Sequence, residues 1–456
     1  MPNNLLSQVS INTDNAAPDQ SAMLDIQSNS SGFLVPRMTE NERMAIASPS
    51  QGLLLFQTDQ ESRFYYNEGT PSMPEWAKMA IVSSSTNSPC DPRIPIDSVF
   101  NGTNYNIDDP GSYYFTRNIF LTGITEAGIR INTPGVTLDL NGYALTSDGI
   151  SGAGIFISGT YQNVIIKNGS VQGWGGDGIH AGVADESIFR DLVISNNGDD
   201  GLIVDKSCLI YNVQSTGNER HGIYADEGGV IVNSNASLNE TGIEVLRECV
   251  IINCVASENI DDGFKAGECA RIDGCSAYDN ANFGFDIARS SLITNSTANS
   301  NGRTGFDVSS SCILMNNVAN NNGQCWSDGS CTASSSNNEG AGIRIGSYAK
   351  VLNNTCNDNV MGLVVTGSYS IIEGNSVTDN QHVGIAVKDD RVLVIRNRGE
   401  NNGFNPIASL VAGGIDPDGN IIIDPTSVYG PIIDVSSTGN LLNNANATHP
   451  YANFEY

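Results

Sequence analysis

Glycine followed by isoleucine, leucine or phenylalanine stands at Gly128, Gly154, Gly178, Gly201, Gly222, Gly242, Gly263, Gly284, Gly305, Gly342, Gly362 and Gly384. The intervals are 26, 24, 23, 21, 20, 21, 21, 21, 37, 20 and 22 residues. A period near 21 is too short for a helical repeat and lacks its 3.6-residue rhythm. In "GIEVLRECVIINCVASEN" the apolar Ile243 and Val245 flank Glu244, a turn follows, and Val250 and Ile252 come next. Such alternation describes short strands with one buried face. Each unit is too small to hide that face alone, so units must stack. Three short strands per unit give an all-β parallel β-helix. Twelve markers predict about twelve coils, on the order of 60 Å at ~4.8 Å per coil.

Ladders of identical residues agree with stacking. Asn218, Asn239, Asn259, Asn280, Asn301, Asn322, Asn359 and Asn380 share one coil position. Asn212, Asn233, Asn253, Asn295, Asn316 and Asn353 share another. Asparagine at a bend tolerates left-handed torsions and can hydrogen-bond to its stacked copies. Cys208, Cys249 and Cys312 fall in one inward slot, Cys269 close to it, and Cys254 and Cys275 become stacked neighbours. Buried cysteine serves as a small apolar residue. No His/Cys spacing suggests zinc, and the glycines follow no phosphate-binding pattern.

Lys and Arg number 22 against 50 Asp and Glu, a formal charge of −28. Such a surface repels phosphate backbones and anionic lipid, which argues against nucleic-acid and membrane partners. No apolar run is long enough to span a bilayer. The opening "MPNNLLSQVSINTD" has neither a basic n-region nor an apolar core, so no signal peptide is expected.

Residues 1–80 lack the period. "QVSINTD", "SAMLDIQSNSSGFLVPRMTENERMAIASPSQGLLLFQTD", "RFYYNEG" and "EWAKM" resemble a module at the front of many bacterial surface and fibre-like proteins. The resemblance implies a short strand segment, a helix starting near Thr39, a hairpin ending in an aromatic strand, and a role in attachment. Thr39 with Glu42 fits a capping box on its own. Residues 81–95 read as a Ser/Pro-rich linker, 96–403 as the β-helix and 404–456 as a closing segment.

"NIDDPGSYYFTRNIFL", "GIRINTPGVTLDLNGYALT" and "NVIIKNGSVQGW" resemble the first coils of right-handed parallel β-helix proteins of the pectin-lyase-like class. "GPIIDVSSTGNLLNNANATHPYANFEY" is similar to their closing segment. That class includes polysaccharide lyases, hydrolases, epimerases and phage tailspikes, so fold alone leaves function open.

The residue two after each marker glycine should point outward. Down the stack this row reads His180, Ile203, Tyr224, Glu244, Lys265, Asp286, Asp307 and Arg344, which predicts a charged stripe. Two carboxylates one coil apart either hold a cation or raise a pKa, which makes Asp286 and Asp307 the candidate Ca²⁺ ligands and candidate catalytic pair. No cofactor is required. Tyr224, Glu244, Lys265, Asp286, Asp307 and Arg344 are the candidate ligand-binding residues. Trp326 joins them from an insertion of about 16 residues that could overhang Asp307. Cys325 and Cys331 in that insertion could form a disulfide in an oxidising setting.

A second cluster precedes the glycines. Asp199-Asp200 and His221-Gly222 resemble two motifs of the polygalacturonase-type hydrolases, which implies catalytic roles for Asp199, Asp200 and His221. The family's Arg-x-Lys motif is missing, with Glu244 and Leu246 in its place. "DDG" also recurs at Asp261-Asp262-Gly263, as ordinary turn chemistry would. The expected protein is therefore a non-catalytic fibre-type or adhesion protein, extracellular or borne on a virion or injection particle, that binds a surface polysaccharide or glycan. Its N-terminal module would hold an attachment partner, and three chains could associate. The alternatives are a polysaccharide hydrolase or lyase, or a structural spacer.

Overall fold

The computed structural model describes residues 8–13, 16–60, 62–79, 93–97, 104–123, 126–149, 152–323, 340–403, 421–423, 428–429, 432–434 and 452–455. The chain divides into two compact units, Met1–Asn87 and Ser88–Tyr456.

In the first unit Val9–Ile11 pairs in parallel with Leu24–Ile26. A four-stranded sheet runs Arg37–Met38, Leu54–Gln57, Arg63–Asn67, Trp76–Lys78, parallel at its first pairing and antiparallel at the next two. The helix Glu40–Met44 begins at Thr39 with the expected reciprocal capping box to Glu42. Its buried Arg43 is anchored rather than stranded: Nε donates to Gln57 Oε1 at 3.0 Å, and the guanidinium lies 4.3 Å from the Tyr65 ring centre.

The second unit is a parallel β-helix. One coil comprises Thr241–Val245, Val250–Ile252 and Val255–Ser257. The glycine-marked strands form one 14-stranded parallel sheet. That exceeds the twelve markers by two (14 − 12), because the strands Tyr105–Ile107 and Ile421–Ile423 carry no Gly-aliphatic pair. The other two strands of each coil pair with their counterparts above and below in a 27-stranded sheet.

Identical residues fall on identical residues inside. Phe264, Phe285 and Phe306 stack with ring centres 4.7 and 4.6 Å apart and planes within 4° and 6°. Offset or parallel aromatic contacts add to the burial of large apolar surface. The amide ladder is continuous from Asn197 to Asn402: Asn280 Nδ2, for example, donates to Asn301 Oδ1 at 2.9 Å and to the Ala256 carbonyl at 3.0 Å. Buried amides are tolerable here because each copy satisfies the next. The marker glycines have ordinary torsions, so turn chemistry does not explain them. A Cβ on Gly284 would lie 2.6 Å from the Gly305 carbonyl oxygen and 2.7 Å from Asn301 Nδ2. Glycine is required because the backbone presses on the amide ladder.

Three expectations need correction. Left-handed torsions occur in the second asparagine ladder (Asn212 φ 53°, Asn253 φ 53°) but not in the first, where the preceding residue takes them, as at Leu238 and Asp279. Cys269 is exposed at a left-handed turn, one residue before the inward slot that Ala270 fills. In the Val-Ile-Ile run the fully buried residue is Ile251, not its neighbours; a run of three aliphatics carries no alternation to read.

Candidate functional site

Strict alternation breaks at each marker glycine. His221 pairs with Thr241 and Ile223 with Ile243, while the glycines between them turn toward the amide ladder. The residue before the glycine and the residue two after it therefore emerge on one face. His180 Nδ1 lies 2.5 Å from Asp177 Oδ2, and the rings of His221 and Tyr224 are 5.4 Å apart. Two outward columns run side by side on the same sheet.

The expected outward row is in register throughout: Ile203 pairs with Tyr224, then Glu244, Lys265, Asp286, Asp307 and Arg344 in succession. It also extends beyond the expectation. Below it, Phe156 stacks on His180 at 5.0 Å, with Arg130 over the other side of the system at 5.2 Å. Above it, outward Met361, Val364, Val383 and Ala386 form a separate buried apolar cluster.

The two clusters read separately in the sequence are one network. Asp200 Oδ1 lies 2.7 Å from His221 Nδ1, and His221 Nε2 lies 3.0 Å from Glu244 Oε2. Glu244 in turn meets Lys265 Nζ at 3.3 Å, while Arg220 bridges Asp199 at 3.2 Å and Asp200 at 3.5 Å. Burial opposes the charge on His221, but its hydrogen bonds to Asp200 and Glu244 win and push it up to about 9. Burial also opposes ionisation of Glu244; bonds from His221 and Lys265 override it and lower the carboxyl. His221 is thus an imidazolium at neutral pH with both nitrogens committed, a poor general base.

Farther along, Arg344 grips Asp307 through both carboxylate oxygens, with Nε to Oδ1 at 2.6 Å. Asp286, between Lys265 and Asp307 in the row, is pushed up to about 6 by burial and then by the Asp307 charge. Asp262 is pushed up to about 7 by burial and then by Asp261, although its Oδ1 accepts the Phe283 N–H at 3.0 Å. Asp286, Asp307, Ser309, Ser310, Arg344 and Thr366 line a recess of about 290 Å³.

Asp262 was legible only as turn chemistry, since its recurrence in "DDG" hides its burial. Arg220 was missed because it lies outside both columns' spacing; its signal was the alternation of Arg220 with Asp199 one coil below. Among the described residues, the carboxylates close enough to share one ion are Asp177, Asp199 and Asp200, but these already serve His180, Arg220 and His221. Trp326, Cys325 and Cys331 lie outside the described residues, as do most of the expected linker and closing segment.

Residues 10–89 match the family described as "phage tail like trimerisation region". No curated protein sequence matches the chain. Among solved structures, the A-module of mannuronan C-5 epimerase AlgE6 from Azotobacter vinelandii is 17% identical, covering 71% of this chain and 91% of its own, with a TM-score of 0.44. The Dettilon tailspike protein is 13% identical, covering 70% of this chain and 64% of its own, with a TM-score of 0.41. Pectate lyase Pel9A is 13% identical, covering 75% and 79%, with a TM-score of 0.29. The parallel β-helix itself rests on the strand registers above.

Proposed function

We propose that this is a fibre- or tail-type protein, borne on a virion or injection particle, whose N-terminal module attaches and trimerises it and whose β-helix offers a surface glycan a binding side. The match of residues 10–89 to a phage-tail-like trimerisation region carries the reading. The binding side would run along Tyr224, Glu244, Lys265, Asp286, Asp307 and Arg344. Its support is physical: the cations are matched to carboxylates one coil away, which leaves Asp286 facing the recess with no opposite charge bonded to it among the described residues. An Asp286 carboxylate accepts hydrogen bonds from sugar hydroxyls, and its protonated form, reached below about pH 6, also donates one. No cofactor is needed. Ca²⁺ could enter at Asp286 and Asp307 only by competing with Arg344, so chelation should leave binding unchanged. No helix among the described residues is long and apolar enough to cross a membrane.

A second reading, glycoside cleavage, is favoured by one observation: a protonatable Asp286 stands directly across from an ion-paired Asp307, and acid–base pairs are made by such unequal environments. Incubating the protein with acidic and neutral polysaccharides, while following retention, reducing ends and unsaturated products, separates the two. Retention without products is expected. Turnover lost in Asp286→Asn would make the protein an enzyme, and neither retention nor turnover would leave a spacer.

A further inference from the structure

The turn that follows each marker strand carries one residue in the left-handed region, and these residues stack from coil to coil. Toward the C-terminal end they read Cys269, Ser290, Ser311, Tyr348, Tyr369 and Arg391, with φ of 61°, 64°, 65°, 60°, 63° and 57°. The register is fixed by backbone bonds such as Ser311 N–H to the Ser347 carbonyl at 2.8 Å and Tyr348 N–H to the Ser368 carbonyl at 2.9 Å. Small residues suit this conformation; tyrosine is an outlier there, and bulky side chains in strained torsions concentrate where they are used.

Both tyrosines are exposed, at 59% for Tyr348 and 44% for Tyr369. Their rings stack with centres 5.0 Å apart and planes within 5°. The Arg391 guanidinium covers Tyr369 at 4.9 Å and is itself held by Asp390 at 3.1 Å. One end of the stack is therefore closed by a cation–π contact. At the other end, the next two residues of the column are the exposed serines Ser311 and Ser290. Two coils of hydroxyl-bearing turn thus lie beside the outer face of Tyr348, a gap of roughly 10 Å along the axis. The same turn, Ser309–Ser310, lines the recess at Asp286 and Asp307, as does Gly346, two residues before Tyr348.

We propose that Tyr348 is a sugar-stacking platform: one pyranose ring of a bound glycan lies over Ser311 and continues the Tyr348–Tyr369–Arg391 stack, extending the recess around the turn. This rests on the glycan-binding reading and adds to it a contact outside the charged stripe. A pyranose fits because it presents an apolar C–H face to the ring and hydroxyls to the serines. A protein partner fits poorly, since two rings and a guanidinium fall far short of the roughly 800 Å² per side that a stable interface buries. Tyr348 makes the contact; Tyr369 and Arg391 are positioning residues that hold its plane.

The test uses the full chain and the polysaccharide that the wild type retains, comparing dissociation constants for Tyr348→Asn, Tyr348→Phe, Tyr369→Asn and Asp286→Asn. Asparagine accepts the left-handed turn, so Tyr348→Asn should fold with an unchanged melting temperature. Loss of one stacking contact should weaken binding about tenfold. Tyr348→Phe should bind within about twofold of wild type and Tyr369→Asn should fall between, as positioning through the stack requires. If the wild type retains glycan, Asp286→Asn weakens it and Tyr348→Asn does not, the platform is refuted while the recess stands. Equal loss in Tyr348→Phe and Tyr348→Asn would refute stacking in favour of the hydroxyl. Failure of the wild type to retain any glycan overturns both readings.

Discussion

Inside the coils, the protein repeats the same residue; along the outward charged column, it changes it. The amide ladder from Asn197 to Asn402 and the phenylalanine stack at 264, 285 and 306 gain from identity, since an amide both donates and accepts and aromatic faces attract. The outward column runs Tyr224, Glu244, Lys265, Asp286, Asp307, Arg344, because like charges about 5 Å apart repel. Its one repetition is Asp307 above Asp286, and there the cost is visible in the raised Asp286 carboxyl. A position where the outer rule is broken is where a ligand has most to offer.

That contrast can be broken from within. Asn280 makes four bonds in the ladder: Oδ1 accepts Asn259 N–H and Nδ2–H, and Nδ2 donates to the Ala256 carbonyl and Asn301. Asn280→Ala should cost about 3–4 kcal/mol in denaturant unfolding, since it strands buried partners. Asp262→Asn should act in the opposite direction. Burial and then Asp261 push the folded carboxyl up to about 7 from its ordinary 3.8, so its ionisation penalises the folded state. That penalty is absent below pH 4, grows between 4 and 7, and is complete above 7. The variant should be more stable by about 3–4 kcal/mol at pH 8 and equal to wild type at pH 3.5. Smallest is Lys265→Ala: its side chain is half-exposed, so stability should fall by less than about 1 kcal/mol and less still in high salt. Asp286, losing a compensating cation, should then titrate higher.

The period made the inner ladders and the outer row readable, because stacking turns a 21-residue interval into vertical contact. What the period could not reveal was the break in alternation at the glycines. Counting by twos sends His221 inward, whereas the turn of Gly222 toward Asn239 and Ala236 brings it out beside Tyr224 and within reach of Glu244. For this reason the hydrolase-like corner and the charged stripe looked like two sites. Tyr348 and Tyr369 were invisible for a similar reason: their exposure and mutual stacking depend on left-handed torsions that tyrosine rarely adopts. The first and last coils escaped counting because Tyr105–Ile107 and Ile421–Ile423 carry no Gly-aliphatic pair.

Side chains from successive coils must meet on one face for any of this chemistry, and His221 reports that directly. Its imidazole signals should be followed by NMR across pH in the wild type and in Glu244→Gln. Contact with Asp200 and Glu244 predicts titration at about 9 and a drop of more than about one unit in the variant. An imidazole titrating near its ordinary value of about 6.5, and indifferent to Glu244→Gln, would mean the two residues do not meet and the face does not exist.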